Sequence, residues 1–282
     1  MRIRGPCAVV PLALLLGSAI CAPWSVHAQT TDASKVLSAA RDALGGEVRL
    51  EAVRTLIVSG RTRQLRGQNL VPIEFEIQVQ LPDQYSRRDE FPAQDAGPAA
   101  SGFSGDQLIQ IPAPPPPVAR RGGAGPTAAQ QEAALRARVV AQKQEFARLL
   151  LGLFARSFSA YPLTFEYVAQ AEAPEGTADV LDAKGPDNFT ARLFVDTRTH
   201  LPIMVSWKVS APPARGGGNA APASPPSTLE NRMYFGDFRD VDGLKLPFRI
   251  RRAVGSDTIE ETTFDRFRLN ARTDPKRFEV SK

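Results

Sequence analysis

Apolar and polar residues alternate without a break from Ile73 to Leu81: Ile73, Phe75, Ile77, Val79 and Leu81 fall on one parity, Glu74, Glu76, Gln78 and Gln80 on the other. A period of two predicts a strand of an antiparallel sheet that is covered on one side only. Runs at 163–167, 189–195 and 203–209 alternate likewise, and further strands are expected at 56–61, 85–90, 107–111 and 232–238. In the closing stretch from Met233 to Val280, Leu244, Leu246, Phe248 and Ile250 alternate with Lys245, Pro247, Arg249 and Arg251. Asp240-Val241-Asp242-Gly243 precedes that strand, and its Asp-Gly dipeptide tolerates positive φ, which predicts a hairpin.

Two segments carry a helical period instead. Val36, Leu37, Ala40 and Leu44 recur at helical spacing over 32–44, with Thr31 or Asp32 as cap and Gly45-Gly46 as stop; a further turn is expected at 50–53. Thr127 with Gln130 forms a capping box after Pro126 and opens a long helix, 127–155. Its apolar positions are Leu135, Val139, Phe146, Leu149, Leu150, Leu153 and Phe154, with Arg136, Arg138, Lys143 and Arg148 on other faces. Such a helix packs on the open face of the sheet, or serves as a movable lid over an apolar cavity, or makes transient contact with a membrane surface. About nine or ten strands with few helices between them predict an α+β fold, one strongly curved antiparallel sheet with helices on one side.

Composition breaks the pattern in three places. Arg2 and Arg4, the apolar run Ala8 to Ile20 and Val26-His27-Ala28 resemble an export leader, residues 1–28, leaving one domain over 29–282 in the periplasm. Lipid anchoring at Cys21 is not expected, because bulky Ile20 stands where a small residue should precede a lipidated cysteine. Two Pro/Gly-rich inserts, 112–126 and 211–227, read as exposed loops. Cleavage after Ala28 removes both cysteines, Cys7 and Cys21, so neither disulfides nor thiol chemistry are expected. It also takes two arginines from a formal charge of only +5, a balance that does not point to nucleic acid.

Candidate chemistry is sparse. The sequence contains no Gly-rich phosphate loop, Gly-x-Ser-x-Gly elbow or His-Glu-x-x-His helix. His200 lies in a turn and cannot by itself supply a metal site and a base. Glu260 and Glu261 are adjacent in a strand and point to opposite faces, while Asp237, Asp240 and Asp242 flank a turn. No catalytic residue, metal or cofactor is expected.

The order of several short motifs resembles the LolA-like periplasmic lipoprotein carriers, the outer membrane lipoprotein-sorting proteins. These are the helix ending Ala43-Leu44-Gly45-Gly46, Pro82-Asp83-Gln84-Tyr85-Ser86-Arg87, and Gly105-Asp106-Gln107-Leu108-Ile109. The hairpin Leu193-Phe194-Val195-Asp196 to Leu201-Pro202-Ile203 and the close from Phe264 to Val280, with Asn270, Asp274, Pro275 and Phe278, belong with them. Leu81 stands where the carrier proper has an arginine before the proline. The resemblance implies an incomplete β-barrel whose helices cover an apolar cavity for acyl chains, and a non-catalytic, monomeric carrier or sensor. Its lining is expected from Phe75, Ile77, Val79, Phe165, Trp207, Leu246 and Phe248, under a lid helix carrying Phe146, Leu149, Leu150, Leu153 and Phe154. The alternative is a cell-envelope interaction module that holds an acidic polymer or protein on a basic sheet face along Arg249, Arg251 and Arg252.

Overall fold

The computed structural model describes residues 32–67, 69–92, 97–113, 125–173, 176–210 and 228–280. The expected export leader with Cys21, the expected Thr31 cap, the insert 211–227 and most of the insert 112–126 lie outside them. The described chain begins with helix α1 (Ala33–Ala43), capped by the Asp32 carboxylate, which accepts a hydrogen bond from the Ser34 amide at 2.9 Å. Leu44 donates back to Ala40, and Gly45 ends the helix at φ 125°, where a side chain would also be driven into the Gly243 carbonyl. A short helix, α2 (Glu47–Glu51), leads into the sheet.

Five strands follow as a meander: β1 (Thr55–Arg66), β2 (Asn69–Gln80), β3 (Gln84–Glu90), β4 (Ala99–Ser104) and β5 (Gln107–Ile111). The long helix α3 (Ala128–Phe154) then crosses to a second meander. Its strands are β6 (Thr164–Ala173), β7 (Gly176–Gly185), β8 (Phe189–Asp196), β9 (Pro202–Ser210), β10 (Thr228–Val241), β11 (Leu244–Val254) and β12 (Asp257–Leu269). Antiparallel pairing of β12 with β1 joins the two into one twelve-stranded sheet, ordered β5-β4-β3-β2-β1-β12-β11-β10-β9-β8-β7-β6. The sheet is not closed, since β5 and β6 are its edges.

The hairpin between β10 and β11 turns on Asp242 and Gly243, both at positive φ, as the Asp-Gly dipeptide predicts. The expectation of nine or ten strands is corrected to twelve among the described residues. β4 (AASGFS) and β7 (GTADVLDAKG) were not expected, because small and charged residues give them little strand propensity and their neighbours supply the pairing.

Helix α3 is the element that touches both arms, packing on β4 and β5 on one side and on β8 and β9 on the other. Its capping box is formed, with the Thr127 hydroxyl accepting from the Gln130 amide at 3.3 Å and the Gln130 side chain accepting from the Thr127 amide at 2.8 Å. Only its C-terminal half is sunk in the concavity. There Phe146 stacks among Tyr85, Phe103 and Phe158 at centroid distances of 4.8–5.7 Å, and Leu150, Leu151, Leu153 and Phe154 are buried. Leu135, expected on the packed stripe, is instead 46% exposed, because the first turns of α3 extend past the sheet. On the convex side the 3₁₀ turn Pro275–Phe278 lies over β3. It is held by Arg277 on Glu76 at 2.5 Å and by the Asp274 amide donating to Gln78 Oε1 at 2.9 Å.

Two outcomes check this arrangement. Gly152 of α3 faces the Phe235 ring so closely that any Cβ would overlap it. Gly152→Ala is therefore expected to destabilise by about 1–3 kcal/mol, despite the ~1 kcal/mol helix-propensity gain; a urea melt showing equal or greater stability would disprove the close packing. For Glu76, burial pushes the carboxyl up, but hydrogen bonds from Gln78 and Arg277 outweigh it, so its pKa lies below the ordinary value of 4.5. A depressed carboxylate stabilises above its unfolded pKa and loses that contribution as pH falls through the folded value. Glu76→Gln should accordingly lower the midpoint at pH 7 and narrow its difference from the parent as pH falls below about 4.5, measured by thermal melts across pH.

Candidate functional site: a cavity with a charged wall under the long helix

Period two places every second residue of a strand on the concave face, and along several strands that parity changes from apolar to polar toward one end. On β1 the inner positions run Leu56, Val58, Gly60, Thr62, Gln64; on β12 Phe264 is followed outward by Thr262 and Glu260. On β3 Tyr85 is followed by Arg87 and Asp89, and on β11 Leu246, Phe248 and Ile250 by Arg252. The assignment of Arg252 to the outer basic face with Arg249 and Arg251 is thus corrected: it has the parity of Ile250 and points inward. Arg249, which does lie outside, pairs with Glu261 at 3.2 Å, and Arg251 covers the Tyr234 ring at 4.3 Å.

Cross-strand register draws these inner polar groups into one chain. Arg87 Nε donates to Asp89 at 2.7 Å, and its Nη2 donates to the Thr62 hydroxyl at 3.3 Å. Thr62 and Thr262 share a hydroxyl hydrogen bond of 2.8 Å, and Thr262 donates to Glu260 at 3.4 Å. Gln64 donates to the other oxygen of Glu260 at 3.3 Å, while Arg252 Nε lies 3.5 Å from Glu260 Oε1. Arg252 Nη2 then meets Glu145 of α3, which ties the helix to the sheet by an ion pair. Burial pushes Arg252 down, opposed by Glu260 and reinforced by Arg87. Burial also pushes Arg87 down, but the Asp89 carboxylate more than offsets it and the net direction is up.

Beneath this wall lies a cavity of about 250 Å³ between α3 and the sheet. Ile73, Ile77, Tyr85, Met233, Ile250 and Phe264 form its apolar side, Arg87, Asp89, Arg252 and Glu260 its charged side. Gln142, Glu145 and Leu149 reach it from α3. Arg252 keeps 28% of its side-chain surface exposed and is part of the cavity lining. Beside it Arg148 lies between the rings of Trp207 at 4.6 Å and Phe189 at 5.2 Å, its Nε buried without a hydrogen bond. Burial lowers its pKa to about 10.

Of the lining residues expected from the sequence, Ile77 borders the cavity. Phe75, Val79, Leu246 and Phe248 are buried in the core that continues from it; Phe75 meets Phe264 edge-on at 5.8 Å. Phe165 and Trp207 are partly buried against that core. On the helix, Leu149 borders the cavity, whereas Phe146, Leu150, Leu153 and Phe154 are buried in the core. Arg87, Asp89 and Glu145 were not anticipated, and Arg252 and Glu260 were considered only for a basic outer face and as adjacent carboxylates, not as cavity lining. Their signal was available: each strand member is a polar residue on an apolar parity.

Glu145 and Glu260 grip the same guanidinium, so they lie within the ~10 Å span at which paired carboxylates can act on one bond. Both are committed to Arg252. His200 is an exposed turn residue at φ 56°. Among the described residues no group of three or more His, Cys, Asp or Glu is placed to hold a metal ion, and no helix is long and apolar enough to cross a membrane.

Arg252→Met leaves two carboxylates facing each other in a partly buried site, and is expected to cost about 3–5 kcal/mol. Adding Glu145→Leu should return part of that loss. A double-mutant cycle with no coupling would show that α3 is not tied to the sheet through this pair.

The LolA superfamily protein of Nitrosomonas europaea is similar to this chain over 88% of this chain and 98% of its own, with a TM-score of 0.51 at 13% identity. A putative outer membrane lipoprotein-sorting protein domain from Vibrio parahaemolyticus aligns over 88% and 97%, with a TM-score of 0.47 at 10% identity. No family model and no curated protein matches the chain. The incomplete antiparallel barrel with its crossing helix is a LolA-like fold.

Proposed function

From the LolA-like fold as premise, we propose that this protein is an exported, non-catalytic periplasmic carrier or sensor that takes an acyl chain of a lipid or lipoprotein into the cavity under α3. The observation that carries this reading is the cavity itself, an unfilled space of about 250 Å³ with an apolar side formed by Ile73, Ile77, Met233, Ile250 and Phe264. At roughly 30 Å³ per water-sized group it holds about eight such groups, a segment of one acyl chain. Each buried methylene contributes about 0.8 kcal/mol, so eight contribute about 6 kcal/mol, which corresponds to retention of a partly inserted chain in the range of tens of micromolar. The deeper residues Phe75, Val79, Leu246 and Phe248 form the wall that a longer chain would meet, and Phe165 and Trp207 the wall toward the second arm. Helix α3, through Leu149 and its Glu145 tie to Arg252, is the element whose displacement would enlarge the cavity.

Protein recovered from a periplasm should yield co-purified lipid by native mass spectrometry, and the delipidated form should take up a fluorescent fatty acid. Lipid-free protein with no uptake would rule the reading out. Ile77→Trp, which fills the apolar side, is expected to reduce uptake by about tenfold or more, the loss of two or more methylene contacts, while far-ultraviolet circular dichroism stays unchanged.

A further inference from the structure

Building on that carrier reading, we propose that Arg252 seats the head group of an anionic amphiphile, whose carboxylate or phosphate takes the place of Glu145 while its chain lies along the apolar side of the cavity. The guanidinium of Arg252 is inside the fold yet open to the cavity, directly beside Ile250 on the same strand face. Its two carboxylate partners are held very differently. Glu260 belongs to the sheet, where cross-strand register opposes it to Arg252 and Gln64, and Gln64 and Thr262 both donate to it. Glu145 comes from α3; its other oxygen lies 3.8 Å from Arg148, beyond hydrogen-bond reach. Glu145 is therefore the exchangeable partner.

Charge decides the class of head group. Arg87 and Arg252 face Asp89, Glu145 and Glu260 across the cavity, with Arg148 on the far side of Glu145, so the cluster is balanced as it stands. An added anion would upset that balance; an anion that takes the place of Glu145 keeps it when the Glu145 carboxylate, already 30% exposed, turns out to solvent, and it regains a charge-assisted hydrogen bond to a guanidinium. Gln142, one turn before Glu145 and bordering the same cavity, adds an amide donor. Release of Glu145 also removes the ion pair that ties α3 to β11, so head-group capture and enlargement of the apolar space share one event.

The test compares ligands of one chain length on the delipidated exported protein: decanoate, decanol and decylamine, with acetate and inorganic phosphate as free anions. Decanoate is expected to bind about tenfold or more tightly than decanol, the difference one charge-assisted contact makes. Acetate and phosphate at the same concentrations should not displace it. Glu145→Gln, which leaves Arg252 with one carboxylate, should strengthen decanoate binding severalfold and by more than it strengthens decanol binding, a selective gain that partial unfolding cannot imitate. Equal binding of decanoate and decanol, preference for decylamine, displacement by the free anions, or weaker decanoate binding in a folded Glu145→Gln variant would each overturn the head-group assignment while leaving the carrier reading intact. Binding of none of the three amphiphiles would overturn both. The ranking in the parent protein needs no substitution, so the test holds even if the variant fails to fold.

Discussion

A twelve-stranded antiparallel sheet with two free edges has a concave apolar face that it cannot cover by itself, and the structure depends on α3 to cover it. Hydrophobic burial is non-directional and scales with area, so the C-terminal half of α3 is fixed by what it fills. Phe146 enters an aromatic cluster with Tyr85, Phe103 and Phe158, and Gly152 admits the Phe235 ring against the helix backbone. On one side of the helix the filling stops. At Gln142, Glu145 and Leu149 the space between α3 and the sheet stays open, and the contact passes to an ion pair.

That ion pair is a poor choice if stability were the only requirement. Desolvating charges costs several kcal/mol per ion, and well-packed apolar residues in place of a buried pair are often neutral or stabilising. The inner face nevertheless holds Arg87, Asp89, Arg252 and Glu260 in a hydrogen-bonded chain that runs through Thr62 and Thr262, with Glu145 completing it from the helix. Polar groups so arranged beside an apolar void form an amphipathic interior.

The same charges account for what a motif search passes over. Asp89 and Glu260 lie far apart in the chain and Glu145 sits in a helix, so no local spacing marks them as a group. Cross-strand register assembles them, because antiparallel pairing sets Glu260 against both Gln64 and Arg252 and places Arg87 beside Ile77.

Alternation along the chain determined the antiparallel strands, their apolar faces and the turn at Asp242-Gly243. The Thr127–Gln130 capping box and the Asp32 cap determined where the two main helices begin. These are local consequences of side-chain period and backbone preference, legible in any short window. Tertiary structure decided the strands β4 and β7, whose weak propensities are overridden by their neighbours, and the pairing of β12 with β1 that makes two meanders one sheet. It also decided the site. Parity alone could place Arg252 with Ile250 on the inner face, but only the crossing of α3 over that face brings Glu145 to it, since that contact joins residues 107 positions apart.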